Sequence, residues 1–114
     1  MEHSLEILNK DKVILYVYWE HNKIHSVWKA EPHIKIPKYI YPENITLENL
    51  LKWMETRVVP RTRFGLEDIL KEYGLPEYHP YWICKQTHGI TMSDYLWVRF
   101  EGETLKYDDI AIRQ

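Results

Sequence analysis

The sequence of 114 residues has one cysteine, no long apolar run and little net charge, and each shortage limits what the protein can be. The single Cys84 excludes an internal disulfide framework, and because no signal-peptide pattern opens the chain we expect a cytoplasmic protein. The longest apolar run, Val13–Trp19, is far too short to span a bilayer, so no membrane partner is expected. The net charge of -2 provides no basic field, which makes nucleic acid an unfavoured partner.

Motifs of catalysis and cofactor binding are also lacking. His21 and His25 lie near a predicted turn, but no cysteine or carboxylate accompanies them at the spacing of a metal site. Cys84 and His88 would share one face of a helix, yet no third group is evident to orient them as a nucleophile and its base. We therefore expect a binding module that has no enzyme activity, no cofactor and no metal.

Aromatic residues are abundant, with five Trp and nine Tyr, and must supply much of the core. The length predicts one domain, 1–114. Its first half, 1–45, is rich in β-branched and aromatic residues, and polar turns separate three runs of them. These runs predict a three-stranded antiparallel meander, with strands at Leu5–Leu8, Val13–Trp19 and Ile24–Lys29.

Three prolines between Ala30 and Asn44 withhold backbone donors and predict an extended connector after the meander. This connector is expected to cover an edge of the sheet, or to add a short strand near His33–Ile36.

The second half, 46–114, shows helical periodicity, and the whole chain is therefore predicted to be an α+β protein. A three- to four-helix segment is expected, followed by a short C-terminal strand pair. The helices are predicted from the Thr46 cap to Arg57–Val59, over Leu66–Tyr73, from Pro80 to before Gly89, and as a capped turn from Ser93 to Trp97. The strand pair is predicted between Leu96–Phe100 and Thr104–Tyr107.

Three arginines, Arg57, Arg61 and Arg63, fall within seven residues of the loop after the first helix. Guanidinium groups bind phosphate and carboxylate in two-point fashion, so the loop is a candidate anion site or nucleic-acid contact. The alternative is structural: Arg57 and Arg63 donate to helix-terminal carbonyls and Arg61 is solvated.

Two stretches of the second half carry a resemblance to a known family. The first combines Trp53, Arg57, Pro60, Arg63 and Gly65-Leu66, and the second runs from Thr87-His-Gly89 through Ser93-Asp94 to Trp97-Val98, with the likeness continuing to Ile110. Together they resemble the N-terminal accessory region that precedes the kinase domain in HipA-like proteins of Firmicutes.

The resemblance implies an accessory role beside a HipA-like serine/threonine kinase, as a regulator or an antitoxin-like partner in a bacterial toxin-antitoxin pair. Kinase activity is not implied, because the chain has no Gly-rich phosphate loop, catalytic His-Arg-Asp or metal-binding Asp-Phe-Gly. A small mobile-element inhibitor of a bacterial immune nuclease, of the anti-CRISPR kind, is the alternative. Candidate partner contacts are Trp53, Arg57, Arg61, Arg63 and Trp97, and candidate structural positions are Pro60, Gly65, Gly89, Ser93 and Asp94.

Overall fold

The computed structural model describes residues 3–30 and 35–110, and it is an α+β structure, as the sequence predicts. Within these residues one antiparallel sheet has the spatial order β3-β2-β1-β4. The strands are β1 (Ser4–Asn9), β2 (Lys12–Glu20), β3 (Lys23–Lys29) and β4 (Leu96–Phe100). The predicted three-stranded meander is therefore present, and a fourth strand extends it.

The predicted C-terminal strand pair is wrong. β4 pairs with β1, with Phe100 opposite Leu5 and Val98 opposite Ile7, and the segment proposed to pair with it, Thr104–Tyr107, forms no strand. Pairing with β1 buries all four of these apolar side chains, and a short local hairpin would not.

Four helices lie within the described residues: α1 (Leu47–Glu55), α2 (Leu66–Glu72), α3 (Pro80–Thr87) and α4 (Tyr107–Ile110). The first begins where predicted, since the Thr46 hydroxyl accepts a hydrogen bond from the Asn49 N–H at 3.0 Å. The second ends at Glu72 and is followed by Gly74, whose φ of 72° is left-handed, and the third begins at Pro80. Local periodicity and capping therefore placed the starts of the first three helices correctly, whereas α1 ends at Glu55, before the predicted Arg57–Val59.

The predicted helical turn from Ser93 to Trp97 is absent. The Asp94 carboxylate accepts a hydrogen bond from the Leu96 N–H at 3.1 Å, which turns the chain directly into β4. The Ser93 N–H donates to the Thr91 hydroxyl at 3.3 Å, so the cap-like residues shape a turn between α3 and the sheet.

The core lies between one face of the sheet and helices α1 and α3. Its buried members include Leu5, Ile7, Leu15 and Val17 from the strands, Leu50, Trp53 and Met54 from α1, and Tyr81 and Cys84 from α3. Ile36 and Ile40 of the connector are also buried, and Ile40 belongs to a 3₁₀ turn at Lys38–Ile40. The strand suggested near His33–Ile36 falls partly on residues outside the described ranges. No helix in these ranges is long and apolar enough to cross a membrane.

Candidate functional site

Arg57 follows α1 and joins it to the turn that precedes β4. Its Nε donates to the Gly89 carbonyl at 2.8 Å, and one terminal nitrogen donates to the Leu96 carbonyl at 2.8 Å. Both terminal nitrogens also donate to the Asp94 carboxylate, at 2.6 and 3.1 Å, in a two-point pair. Because its side chain is only 7% exposed, Arg57 braces two loops and does not present its charge to a partner.

The same contacts set the charge state of Asp94. Hydrogen bonds from Arg57 hold the pKa of this carboxyl below its ordinary value, partial burial opposes the shift, and the Leu96 N–H reinforces it. Asp94 is therefore ionised when it is paired with Arg57, and it stays ionised throughout the neutral pH range.

Two tryptophans that the sequence suggested as partner contacts belong to the interior. Trp53 is 3% exposed and packs its ring 5.2 Å from the Arg57 guanidinium carbon, and Trp97 is fully buried. The Trp97 indole N–H donates to the Lys10 carbonyl at 2.6 Å and so fastens β4 to the β1–β2 turn. Neither ring is available for contact, because tertiary packing buries a large aromatic wherever it faces the core.

Arg61 is exposed at the surface, and its side chain contacts Tyr78 and Glu55. Its guanidinium stacks 4.3 Å from the centre of the Tyr78 ring, and its Nε donates to the Glu55 carboxylate at 3.3 Å. Tyr78 in turn donates its hydroxyl to the Val59 carbonyl at 2.7 Å, and burial raises the pKa of that phenol. These contacts hold the loop between α1 and α2 against the segment that precedes α3.

Arg63 and Phe64 differ from the other residues of this loop. The Phe64 side chain is 97% exposed, and within the described residues the Arg63 guanidinium has no hydrogen bond or ion pair. The backbone around them is nevertheless ordered by turns, since the Arg63 N–H donates to the Pro60 carbonyl at 3.0 Å and the Leu66 N–H to the Arg63 carbonyl at 3.2 Å. We call the segment Arg61–Phe64 the anchor loop.

Gly65 and Gly89, two of the candidate structural positions, both have a left-handed backbone. Gly65 has a φ of 77°, which ends the anchor loop, and its carbonyl accepts the first hydrogen bonds of α2. Gly89 has a φ of 66°, and a Cβ added there would lie 3.2 Å from the Cys84 Sγ and 3.6 Å from the Arg57 Nε. Position 89 therefore favours glycine, because its backbone is left-handed and an added Cβ would crowd the Cys84 Sγ.

The geometry does not favour Cys84 as a nucleophile. The thiol is buried, and this burial raises its pKa to about 12, so the reactive thiolate is scarce at neutral pH. His88 does not face it as a base, because its Nε2 lies 3.0 Å from the Glu103 carboxylate. Within the described part of the chain, no three His, Cys, Asp or Glu side chains are grouped to hold a metal ion.

Phe64 received no role from the sequence, which predicted a structural role for Asp94 without its pairing to Arg57. The available signal for Phe64 was its position between Arg63 and Gly65, outside any helical stripe. Asp94 was interpreted as a helix-capping neighbour, and its pairing with a residue 37 positions away leaves no local trace. Comparison with known proteins finds no matching family model, curated protein or solved structure.

Proposed function

We propose that this chain is a protein-binding module that contacts its partner through the anchor loop. The observation that carries the proposal is the exposure of Phe64, which is 97%. A phenylalanine moved from water into an apolar pocket contributes roughly 1.5–3 kcal/mol, and buried aromatic anchors of this kind dominate many interfaces.

The rigidity of the loop supports the same function. Turns at Pro60 and Arg63, the stacking of Arg61 on Tyr78 and the left-handed Gly65 fix the backbone on both sides of Phe64. An anchor that is already held in place loses little conformational entropy when it binds, so more of its burial energy remains as affinity.

The charge of the loop indicates the chemistry of the partner surface. Among the described residues, Arg63 has no counter-ion. The one carboxylate that Arg61 contacts there is Glu55, which is partly exposed. An apolar pocket for Phe64 with carboxylates at its rim would complement both.

The proposed partner is a HipA-like serine/threonine kinase, and its support is the resemblance of residues 53–66 and 87–98 to the accessory region of that family. In this role the chain restrains or positions the kinase and catalyses nothing itself. The proposed cellular location is the bacterial cytoplasm, where such kinases act.

The test is to mix the purified chain with a purified HipA-like kinase from the same organism and separate the mixture by size exclusion. We expect one early peak that contains both proteins, and kinase autophosphorylation that changes when the chain is added. Two separate peaks at micromolar concentration, with unchanged autophosphorylation, would contradict the proposed partner.

Two control arms address the other candidate functions. Retention on DNA at low salt would favour a nucleic-acid contact. Of the three loop arginines, only Arg63 is unpaired within the described residues and so available for such a contact. Inhibition of an immune nuclease would favour the mobile-element inhibitor. Either result, obtained without kinase binding, would replace the proposal.

A further inference from the structure

A second surface, independent of the anchor loop, lies between the connector and the start of α1. It is an open groove of about 880 Å³ whose lining includes Pro37, Tyr39 and Tyr41. Both tyrosines are exposed: 51% of the accessible surface of Tyr39 and 46% of that of Tyr41 remains in contact with solvent. Because two neighbouring aromatic residues are displayed in one concave surface, the groove differs from the scattered apolar residues of an ordinary protein exterior.

The backbone that displays these tyrosines is fixed to the core. Ile36 and Ile40 are 4% and 0% exposed, and they hold the segment on either side of Tyr39. The Ile40 N–H donates to the Pro37 carbonyl at 3.1 Å, and the Asn44 N–H donates to the Tyr41 carbonyl at 3.0 Å. The groove is therefore formed before any partner arrives, which lowers the entropy cost of binding.

The chemistry of the lining matches an extended proline-rich chain. Such chains adopt the polyproline II helix, which makes no internal hydrogen bonds and leaves its carbonyls free to accept. Grooves that bind it use aromatic rings as walls against the proline rings, together with side-chain donors for the carbonyls. Tyr39 and Tyr41 supply rings and hydroxyl donors, and Asn44 and Asn49 line the same groove with amides.

The charge of the lining narrows the partner further. Among residues 3–30 and 35–110, Lys35 and Lys38 are the charged residues that line the groove, and neither forms an ion pair with another described residue. A carboxylate on the bound segment would complement them. We propose that this groove binds an extended, proline-rich segment of a partner protein that carries acidic residues.

The test uses synthetic peptides and the intact chain. The first peptide has consecutive prolines followed by two aspartates, the second replaces the prolines with glycine and serine, and the third replaces the aspartates with lysine. Binding is followed by the backbone amide shifts of the isotope-labelled protein. We expect the first peptide to shift resonances within 35–49 at sub-millimolar concentration, and the other two to bind at least about tenfold more weakly.

Variants assign the binding to the groove. We expect Tyr39→Ala to weaken binding of the first peptide by at least about tenfold, and Lys38→Glu to reverse the preference between the aspartate and lysine peptides. Tyr95→Ala, which truncates a tyrosine of similar exposure on another loop, should leave the affinity unchanged. Circular dichroism of each variant checks that the fold is retained.

Three outcomes would overturn the proposal: no shifts at millimolar peptide, equal binding of the glycine-serine peptide, or shifts confined to residues outside 35–49. The assay is independent of the kinase, so failure here leaves the proposed function intact, and failure of kinase binding leaves this groove intact.

Discussion

Arg57 is the buried cation on which the arrangement of two loops depends. Each of its donor nitrogens has an acceptor, on Gly89, Asp94 or Leu96, and these charge-assisted hydrogen bonds offset the cost of removing the guanidinium from water. Its spacing to Arg61 and Arg63 left two interpretations open, an anion site and a structural brace. The sequence could not decide between them, because the acceptors come from positions far along the chain.

Replacing Arg57 with lysine should lower the free energy of unfolding by about 2–4 kcal/mol. Lysine keeps the charge but lacks the planar fork that reaches Gly89, Asp94 and Leu96 together. The measurement is urea unfolding at neutral pH, followed by circular dichroism. The matched control is Arg61→Lys on the exposed side of the loop, which should change stability by no more than about 0.5 kcal/mol. Equal effects of the two substitutions would contradict the role of Arg57.

Asp94 makes a pH-dependent contribution to stability. Because contact with Arg57 lowers its pKa in the folded protein, this contribution is fully present above the unfolded value of about 3.9 and is lost as pH falls through the lower folded value. Urea unfolding across the acidic range should show wild type and Asp94→Asn differing most near neutral pH and converging in strong acid. A difference that stays constant with pH would show that the carboxylate charge is not what stabilises the turn.

At the scale of elements, local patterns were sufficient wherever structure is decided within a few residues. The Thr46 cap predicted the start of α1, and Leu66 and Pro80 were predicted correctly as the starts of α2 and α3. The errors occurred where a distant partner decides. Ser93 and Asp94 have the composition of a helix cap, but pairing of the next residues with β1 imposes a strand.

Gly89 connects the end of α3 to the Arg57 contacts, and Gly89→Ala should therefore destabilise the protein more than a glycine substitution elsewhere. The control is Gly74→Ala, since Gly74 is also left-handed but has nothing within 4 Å of an added Cβ. We expect Gly74→Ala to cost about 1–2 kcal/mol from backbone strain alone. Gly89→Ala should cost more, because its methyl group would also lie 3.2 Å from the Cys84 Sγ, which is closer than an ordinary van der Waals contact. Equal losses in chemical denaturation would mean that the close approach is unimportant.

For the whole molecule, the β-rich and helical halves of the sequence are not separate structures. β4, from the second half, completes the sheet begun in the first by pairing with β1. Composition predicted that aromatics would fill the core but not which ones. Trp53 and Trp97 were predicted as surface contacts and are buried, whereas the Phe64 side chain is exposed. Composition could not show this, because burial depends on which residues face the sheet in the folded chain.

The most direct test of the account is the affinity of Phe64→Ala for the kinase, measured by titration calorimetry beside wild type and Trp28→Ala. Trp28, half exposed on the edge strand β3, is the matched aromatic control. We predict that Phe64→Ala weakens binding by about 30-fold or more, equivalent to about 2 kcal/mol, with unchanged stability. Trp28→Ala should bind like wild type. Binding of Phe64→Ala with wild-type affinity would contradict the claim that the anchor loop makes the contact.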